Sequence, residues 1–504
     1  MVRLRRRGLA SINSEIRDGI VPAANGVTVS PEAPPPPLGV DHHHRPRDYR
    51  VVAMIIACAL FMEQMDATVL ATALPTMARD FGVPAPSLSS ALTAYLLALA
   101  IFIPASGRLA DRFGAKTVFR LAIVIFVAGS VLCGQATNLP FLILARFLQG
   151  MGGAMMIPIG RLVLLRSVAK QDMVSATSWL IMPALIGPII GPPIGGFIVT
   201  YLDWRWIFYL NIPIGLLGIV LVTLFIDEVR ADVPARADVM GFVLSGVSLG
   251  CLLFGFEMTS RGGELTNALM LIAIGVTSGA LYIRHARKRE APILDLSLMR
   301  VNSFRLSVIG GSLTRITQGA QPFLLPLMLQ LGFGMSAAVS GTITIAGAIG
   351  SLAMKSLAPR LLRRFGFRDS MVVAGLAASV GYAACGFFRP SWPTPLIFLT
   401  LMASGFCMSF QFTAYNTIAY DEIPSDRMSA ATSFYSTFQQ LMLSMGICVG
   451  AAALHVGMLA GGQATPRLAD FTVAFLVVTA ISASATIWNR RFDKDAGAEL
   501  SGHK

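Results

Sequence analysis

Four charged residues stand inside long stretches of the sequence that otherwise hold mainly apolar and small side chains. They are Glu63, Asp66, Arg146 and Arg315. A charge inside an apolar layer is costly, so such residues commonly mark ion or proton pathways. Glu63 and Asp66 are three residues apart, which puts both carboxyl groups on one face of a helix. We predict that this face takes up and releases protons; the alternative is an ion pair that only fixes one helix to its neighbour.

Arg146 is the predicted partner of Asp66. It follows the start of its apolar stretch by about seven residues, a depth of ~10 Å along a helix, and Asp66 lies at a comparable depth. A proton on the carboxyl group would weaken this pair, which would link proton uptake to a change of shape. A static ion pair that serves only specificity is the alternative.

Polar residues in the later part of the chain are predicted to line a substrate cavity. Arg315 follows Glu63 by 252 residues, the offset that also aligns two similar loops, so these two residues could pair across the cavity. The amides fit helix–helix hydrogen bonds equally well. The predicted cavity residues are Arg315, Gln318, Gln321, Gln411, Tyr415, Asn416 and Gln439.

The elements that must hold these residues are membrane-spanning helices. Of the 504 residues, 54% are hydrophobic and only 13% are charged, whereas soluble chains carry about 25% charged residues. These values exclude a water-soluble enzyme, a secreted disulfide scaffold and a disordered protein. Turn residues and charges divide the apolar mass into segments that are too long for the strands of a β-barrel. The predicted fold is an all-α integral membrane protein with 14 transmembrane helices.

Positive charges predict the orientation of these helices. Most of the 40 Lys and Arg residues fall in the tails and in alternate loops, which the positive-inside rule assigns to the cytoplasm. The net charge of +13 is then a topology signal and does not indicate nucleic acid as a partner. We predict a multi-pass protein of the inner (plasma) membrane, surrounded by lipid, with both termini in the cytoplasm.

An internal repeat divides the chain. The loop G-R-L-A-D-R-F-G-A-K at 107–116 aligns with P-R-L-L-R-R-F-G-F-R at 359–368 at the offset of 252. Such repeats commonly build transporters with a site between the halves. The predicted organisation is a disordered cytoplasmic tail (1–50), an N-terminal six-helix half (51–227), a central extra helix pair (239–284), a pseudo-symmetric C-terminal six-helix half (302–489) and a cytoplasmic tail (490–504).

Two segments are predicted to control a change of shape. Gly187, Gly191 and Gly195 recur every four residues with Pro188 among them, a pattern that permits close helix packing and bending. The 107–116 loop can turn tightly and pair with helix ends. The alternatives are a stripe that only packs and a loop that only follows the charge rule. The loop residues concerned are Gly107, Asp111, Arg112, Gly114 and Lys116.

Motifs of enzyme and metal chemistry are missing from the sequence. It has no G-x-x-x-x-G-K-[ST] loop for ATP, no H-E-x-x-H pair, and no C-x-x-C among its six cysteines. One G-x-S-x-G, at 246–250, lies in an apolar segment and lacks the strand-to-helix turn that a hydrolase needs. We predict that the chain is not an enzyme, holds no metal or cofactor, and uses a proton gradient as its energy source.

Four motifs resemble the major facilitator superfamily, specifically its fourteen-helix drug:proton antiporters. A fifth segment, W-R-W-I-F-Y-L-N-I-P-I-G at 204–215, also fits this branch. The four motifs are M-D-A-T-V-L-A-T-A-L-P at 65–75, the 107–116 loop, L-A-R-F-L-Q-G-M-G at 144–152 and I-G-P-I-I-G-P-P-I-G-G at 186–196.

The resemblance implies that Asp66 is the acidic coupling residue and that Arg146 takes part in proton transfer or coupling. Two features depart from the family pattern. Ala71 stands where the family often has Asn, and Glu63 is not a general family residue.

The resemblance also implies a proton-coupled antiporter that exports amphipathic small molecules or drugs by alternating access. One alternative is a dedicated transporter of a physiological metabolite or organic anion on the same fold. Another is a membrane sensor or scaffold without transport. No residue indicates accessory efflux subunits, and the substrate, the proton stoichiometry, the oligomeric state and the role of the central pair stay open.

Overall fold

The computed structural model describes residues 49–168, 173–228, 238–260, 265–424, 427–463 and 465–501. The predicted tail over 1–50 lies outside these ranges except for its last two residues. In chain order the α-helices are α1 (Tyr49–Phe81), α2 (Ser89–Phe113), α3 (Ala115–Gly134), α4 (Leu139–Ser167), α5 (Met173–Tyr201), α6 (Trp206–Tyr209), α7 (Asn211–Phe225), α8 (Val239–Ser260), α9 (Leu265–Ala286), α10 (Asn302–Leu327), α11 (Ala337–Gly386), α12 (Thr394–Ile418), α13 (Met428–Gly461), α14 (Leu468–Ala483), α15 (Ala485–Asn489) and α16 (Ala498–Ser501).

The described residues contain 11 helices that are long and apolar enough to cross a membrane. Their backbone groups are satisfied within each helix, which is what an apolar layer requires. The chain is therefore a multi-pass, all-helical membrane protein, as the sequence predicts.

Helix α11 consists of two helical segments that meet at a kink, in a region where the fourteen-helix prediction places two helices. Its 50 residues would extend ~75 Å, more than twice the ~30 Å apolar core of a bilayer. Its backbone leaves helical geometry at Gly366, with a φ of 71°. Leu362 and Phe367, on either side of that glycine, pack into one buried cluster that holds the two segments together.

Four glycines in the left-handed backbone region form two pairs, each separated by 252 residues. Gly82 and Gly334 have φ values of 65° and 69°, and Gly114 and Gly366 have values of 96° and 71°. Residues with a Cβ rarely adopt this conformation. The chain thus turns in the same way at the offset at which the two loops align.

Close approach of α4 to α2 and α3 sets the positions of the buried charges. A Cβ at Gly150 would meet the Tyr95 carbonyl on α2, and a Cβ at Gly152 would meet the backbone of Phe126 on α3. Small residues let helices in lipid approach in this way. Many buried side chains of α1 to α4, among them Phe119 on α3, belong to one hydrophobic cluster.

Helices α5 and α11 meet along their ends next to the loops 202–205 and 333–336. Gly196 lies against the Ala337 carbonyl, and Gly341 lies against the Pro192 carbonyl, so neither position has room for a side chain. The N–H of Ala338 donates to Thr200 Oγ1 at 3.0 Å. We call this end of the molecule the closed face.

The predicted central pair corresponds to α8 and α9, which pack against each other. Ser248 on α8 donates to the Gly275 carbonyl at 2.9 Å, and Ser278 on α9 donates to the Leu244 carbonyl at 2.8 Å. Helix α8 also contacts α2 and α13. The pair therefore lies beside helices from both predicted halves.

Candidate functional site

Asp66 on α1 and Arg146 on α4 form a buried ion pair. Arg146 Nη1 donates to Asp66 Oδ2 at 2.6 Å, and the side chains are only 1% and 2% exposed. The structure thus brings together the two residues that the sequence pairs. Their part in proton coupling stays a prediction at this point.

Three residues that the sequence analysis did not single out complete this pair. Gln149 and Asn211 each donate to Asp66 Oδ1 at 2.8 Å, and both amides also donate to the Ser130 hydroxyl. Gln149 lies three residues after Arg146, so helical spacing could have indicated it. Nothing in the spacing indicated that Asn211, on a different helix, would reach the same carboxylate.

Glu63 is connected to the ion pair through Tyr95 on α2. The Tyr95 hydroxyl donates to Glu63 Oε1 at 3.3 Å, and Gln64 donates to the other carboxylate oxygen at 2.9 Å. The Arg146 guanidinium lies over the Tyr95 ring, with Cζ 4.3 Å from its centre. The two acids of α1 are therefore joined by a short polar chain, and all of its members are buried.

Glu63 and Arg315 do not form the pair that their equivalent positions in the repeat would allow. Glu63 takes its hydrogen bonds from α1 and α2, whereas Arg315 on α10 donates to the Gly311 carbonyl at 3.2 Å. Its Cζ lies 5.3 Å from the ring centres of both Phe412 and Tyr435. Each residue is thus held within its own half of the chain.

A cavity of about 330 Å³ lies between the two predicted halves. Helices α1 and α5 form one wall, and α10, α11 and α12 form the other. Most of its lining is apolar and rich in proline. The lining residues include Thr68, Ala71, Thr72, Pro188, Ile189, Pro192, Gln321, Pro322, Leu325, Pro326, Thr344, Ser351, Leu352, Lys355, Met408, Ser409 and Phe412.

Gln321 lines this cavity, as predicted, and Lys355 also lines it although the sequence analysis passed over it. Lys355 follows a charge-free run over 316–354 and there resembles one of the loop cations that only set topology. Lys355 lines the cavity because α11 faces α1 and α5 across it.

Three predicted cavity residues on α12 lie elsewhere. The Tyr415 hydroxyl donates to Asn489 Oδ1, and Asn416 donates to the Phe412 carbonyl at 2.6 Å. Gln411 is buried beside Gly375 of α11. These polar groups serve contacts within the C-terminal part of the chain, the alternative that membrane amides commonly follow.

Three further predicted cavity residues, Arg315, Gln318 and Gln439, are not on the cavity wall. Arg315 is screened by Phe412, whose ring covers the guanidinium and also lines the cavity. Gln439 shares a narrow gap with Arg315 and Tyr435. Gln318 is buried, and its Nε2 has no hydrogen-bond partner among the described residues.

The glycine stripe of α5 packs on α1. Gly187, Gly191 and Gly195 lie against successive turns of α1, from Phe61 to Thr72, which is the close approach that their spacing predicts. Pro188, between them, lines the cavity. The stripe thus fixes α5 to the same helix that carries Asp66.

Around α1 the cavity and the ion pair lie on different sides. Thr68 and Thr72 line the cavity, and at 100° per residue they are rotated ~200° and ~240° from Asp66. One rigid helix therefore presents its acidic residue to α4 and its cavity-lining residues to the second half.

The 107–116 loop is held by an acid outside it. Gly107 is inside α2, so the tight turn predicted there is wrong, and the turn occurs at Gly114. Glu228 accepts hydrogen bonds from the N–H groups of Lys116 at 3.1 Å and Thr117 at 3.2 Å. A carboxylate at this helix N-terminus also interacts favourably with the helix dipole.

The side chains of this loop partly follow the prediction. Lys116 Nζ donates to the Thr223 carbonyl at 2.8 Å, near the end of α7, which is the predicted kind of contact with a helix end. Arg112 instead lies over the Phe113 ring. Asp111 also has an interaction partner. The carboxylate that accepts hydrogen bonds from the start of α3, however, is that of Glu228.

Comparison with known proteins decides the family. The Major Facilitator Superfamily profile matches residues 56–447. The chain belongs to the major facilitator superfamily. The matched range contains the ion pair, Glu63 and every residue of the cavity wall, so the site lies within the part that defines a major facilitator protein.

Two curated relatives and one solved structure extend this likeness. The "Probable transport protein HsrA" of Haemophilus influenzae is 36% identical over 409 residues, 81% of this chain and 88% of the relative. The "Putative multidrug resistance protein MdtD" of Yersinia enterocolitica is 34% identical over 447 residues, 88% and 95% of the two chains. The crystal structure of the POT family transporter PepTSo matches with a TM-score of 0.66 and 12% identity, covering 91% and 100%.

The likeness to PepTSo concerns the fold alone. The major facilitator match and the names of the two curated relatives agree with the prediction that the chain is not an enzyme.

Proposed function

We propose that this chain is a proton-coupled antiporter that exports amphipathic small molecules by alternating access. The observation that carries the proposal is the arrangement around α1, with the Asp66–Arg146 pair on one side and the cavity on another. A proton that reaches Asp66 therefore acts on a helix that also forms the cavity wall. The names of the curated relatives, a transport protein and a multidrug resistance protein, support the same function.

In the proposed topology the chain crosses the inner membrane fourteen times, with both termini in the cytoplasm. Helices α5 and α10 and a second pass of α11 would add three crossings to the 11 helices that are long and apolar enough. The two six-helix halves would then lie on either side of the cavity. The closed face would be external, and the cavity would open to the cytoplasm.

Protonation would act through the buried pair. In the ionised state Asp66 balances the charge of Arg146, and donors from α4 and α7 satisfy its second oxygen. Removing one partner of a buried ion pair typically costs about 3–5 kcal/mol. A proton on Asp66 would therefore favour a different packing of α1 against α4, in which Arg146 finds another environment.

The substrate would couple to this change through its contacts with α1 and α5. A ligand shifts a conformational equilibrium only by its difference in affinity for the two states. The closed face is formed by contacts between α5 and α11. A substrate bound in the cavity between these two helices would therefore alter the contacts that must separate when the closed face opens. The proton gradient would supply the energy, without a cofactor.

A transport assay tests this proposal. The purified protein is reconstituted in liposomes with an imposed pH gradient and tested with a panel of amphipathic solutes. Gradient-dependent transport that is lost in Asp66→Asn and retained in Asp493→Asn, an exposed acid in the final segment, is expected. A sensor or scaffold on this fold would transport no solute, with or without the pH gradient. Unchanged transport by Asp66→Asn would contradict the mechanism.

A further inference from the structure

The cavity has a cation without a matching acid. Lys355 lines it, and within the part of the chain that the structure describes no hydrogen bond or ion pair joins this ammonium group to another residue. None of the lining residues is Asp or Glu. In the first half, by contrast, the buried Arg146 is balanced by Asp66.

A second cation adds to this imbalance. Arg315 is 1% exposed, and its Nε and Nη2 have no hydrogen-bond partner among the described residues. The Phe412 ring covers its guanidinium at 5.3 Å and lines the same cavity as Lys355. Charges inside a membrane protein are costly unless they are paired, so the wall formed by α10, α11 and α12 lacks a negative charge.

The hydroxyl groups of the wall already use their protons within the protein, so they are not donors to a bound solute. The hydroxyl groups that line the cavity donate to backbone carbonyls of their own or a neighbouring helix. These bonds are Thr68 to Met65, Thr72 to Val69, Thr344 to Gly341, Ser351 to Gly405 and Ser409 to Ser351. Lys355 and Gln321 remain as the lining side chains whose N–H groups can bind a solute.

The rest of the wall fits an apolar body. Prolines of α5 and α10, together with Ile189, Leu352 and Met408, form most of the surface around Lys355. The volume of about 330 Å³ lies at the lower end of the range for drug-sized ligands, ~300–1,000 Å³. Such a site fits an aromatic or aliphatic group of moderate size with one charged end.

We propose that the cavity selects amphipathic organic monoanions and that Lys355 binds their acid group, with Gln321 as a second donor. This inference rests on the proposed function and narrows its substrate class. The anionic group supplies the charge that the second half lacks, and Arg315 behind Phe412 strengthens the positive potential at the site. An anionic lipid headgroup offers the same chemistry, so the test must separate it from a soluble substrate.

Binding in nanodiscs, without any gradient, tests the inference separately from transport. The probes are naphthalene-2-sulfonate and 2-naphthyltrimethylammonium, which share a ring system and carry permanent charges of opposite sign. We expect the sulfonate to bind more tightly, and Lys355→Gln to weaken it by about ten- to a hundredfold, the loss of one charged hydrogen bond. Lys355→Arg should retain sulfonate binding because it retains the charge.

Arg360→Gln is the matched control, because Arg360 is an exposed cation on the same helix and does not line the cavity. Equal sulfonate affinity in Lys355→Gln and the original protein, or a preference for the ammonium probe, would overturn the inference. Sulfonate binding that persists when phosphatidylcholine is replaced by phosphatidylglycerol supports a soluble substrate. Its loss in phosphatidylglycerol would show that a lipid headgroup occupies Lys355 and would overturn the inference as well.

A failure of this test leaves the proposed antiport intact, because binding is measured at equilibrium. A failure of the proposed function would appear in the liposome assay instead, as transport that does not depend on the pH gradient, whichever probe binds.

Discussion

Arg146 donates to Asp66 across 2.6 Å, and both side chains are almost completely removed from solvent. Neither charge can be neutralised alone without leaving the other unbalanced in an apolar surrounding. The pair therefore links protonation of Asp66 on α1 to the packing of α4. We expect mutations of the two residues to have non-additive effects on the free energy of unfolding.

Arg146→Gln is expected to lower the free energy of unfolding by about 3–5 kcal/mol, because it leaves a buried carboxylate unpaired. Adding Asp66→Asn should recover part of that loss, because the double variant buries no charge at this position. Thermal unfolding in detergent of the two single variants and the double variant measures the coupling. Strictly additive effects would mean that the two residues do not depend on each other.

Gly341→Ala should open the closed face. Its Cβ would collide with the Pro192 carbonyl, which forces α5 and α11 apart at a typical cost of about 1–3 kcal/mol. We expect faster thiol labelling of a cysteine placed at Ala338, beside this contact, and reduced transport. Gly250→Ala is the control, since its nearest neighbour there is a Leu97 methyl group at 4.0 Å, and equal labelling in both variants would contradict the assignment of this contact.

Asp238 joins the start of α8 to the end of α9 and to the following loop. It bonds to His285 at 2.7 Å and accepts from the N–H groups of Gly241 and Ile293. Burial raises the pKa of Asp238, but the hydrogen bonds from His285 and from these N–H groups lower it more, so the pKa lies below its usual value. Its contribution to stability is therefore complete above the ordinary aspartate pKa of about 4 and is lost as the pH falls through the lower, folded value.

Asp238→Ala is accordingly expected to lower the unfolding free energy by roughly 2 kcal/mol at pH 7. The difference from the original protein should shrink below pH ~4, where the carboxylate becomes protonated. Melting curves at several pH values measure it, with Asp493→Ala as an exposed control. A difference that stays constant down to pH ~3 would show that the charge of Asp238 does not contribute.

Export of a monoanion in exchange for one proton would move two positive charges inward in each cycle. An inside-negative potential should therefore drive this export, by about 4.6 kcal/mol per 100 mV for the two charges. The ratio of charge moved to sulfonate transported, measured by electrical recording and tracer flux on one preparation, should be close to two. A ratio near zero would contradict the combination of proton antiport with an anionic substrate.

The sequence could predict much of this architecture because lipid leaves few choices for the backbone. Long apolar segments must be helices, and the repeat at 107–116 and 359–368 aligns Gly114 with Gly366, which both have a positive φ in the structure. The pairing of Asp66 with Arg146 followed from comparable depth and from the rule that membrane charges find partners.

The remaining site residues depend on rotations that spacing alone does not determine. In the sequence, Lys355 resembles a loop cation that only sets the topology, and Asn211 lies far from Asp66. Glu63 accepts a hydrogen bond from Tyr95 and does not pair with Arg315. Amides such as Asn416 found carbonyl partners on their own helix. For Glu63 and Asn416 a nearer partner replaced the predicted one, and for Lys355 and Asn211 the packing of distant helices determined the position.

Substrate binding and proton exchange are proposed to act on the two sides of α1. This coupling can be measured as proton release on addition of substrate, recorded with a pH indicator on the purified protein in weakly buffered detergent. We expect substrate to release protons from the original protein and none from an Asp66→Asn variant that still binds substrate. Equal proton release by Asp66→Asn would show that Asp66 does not couple the two processes.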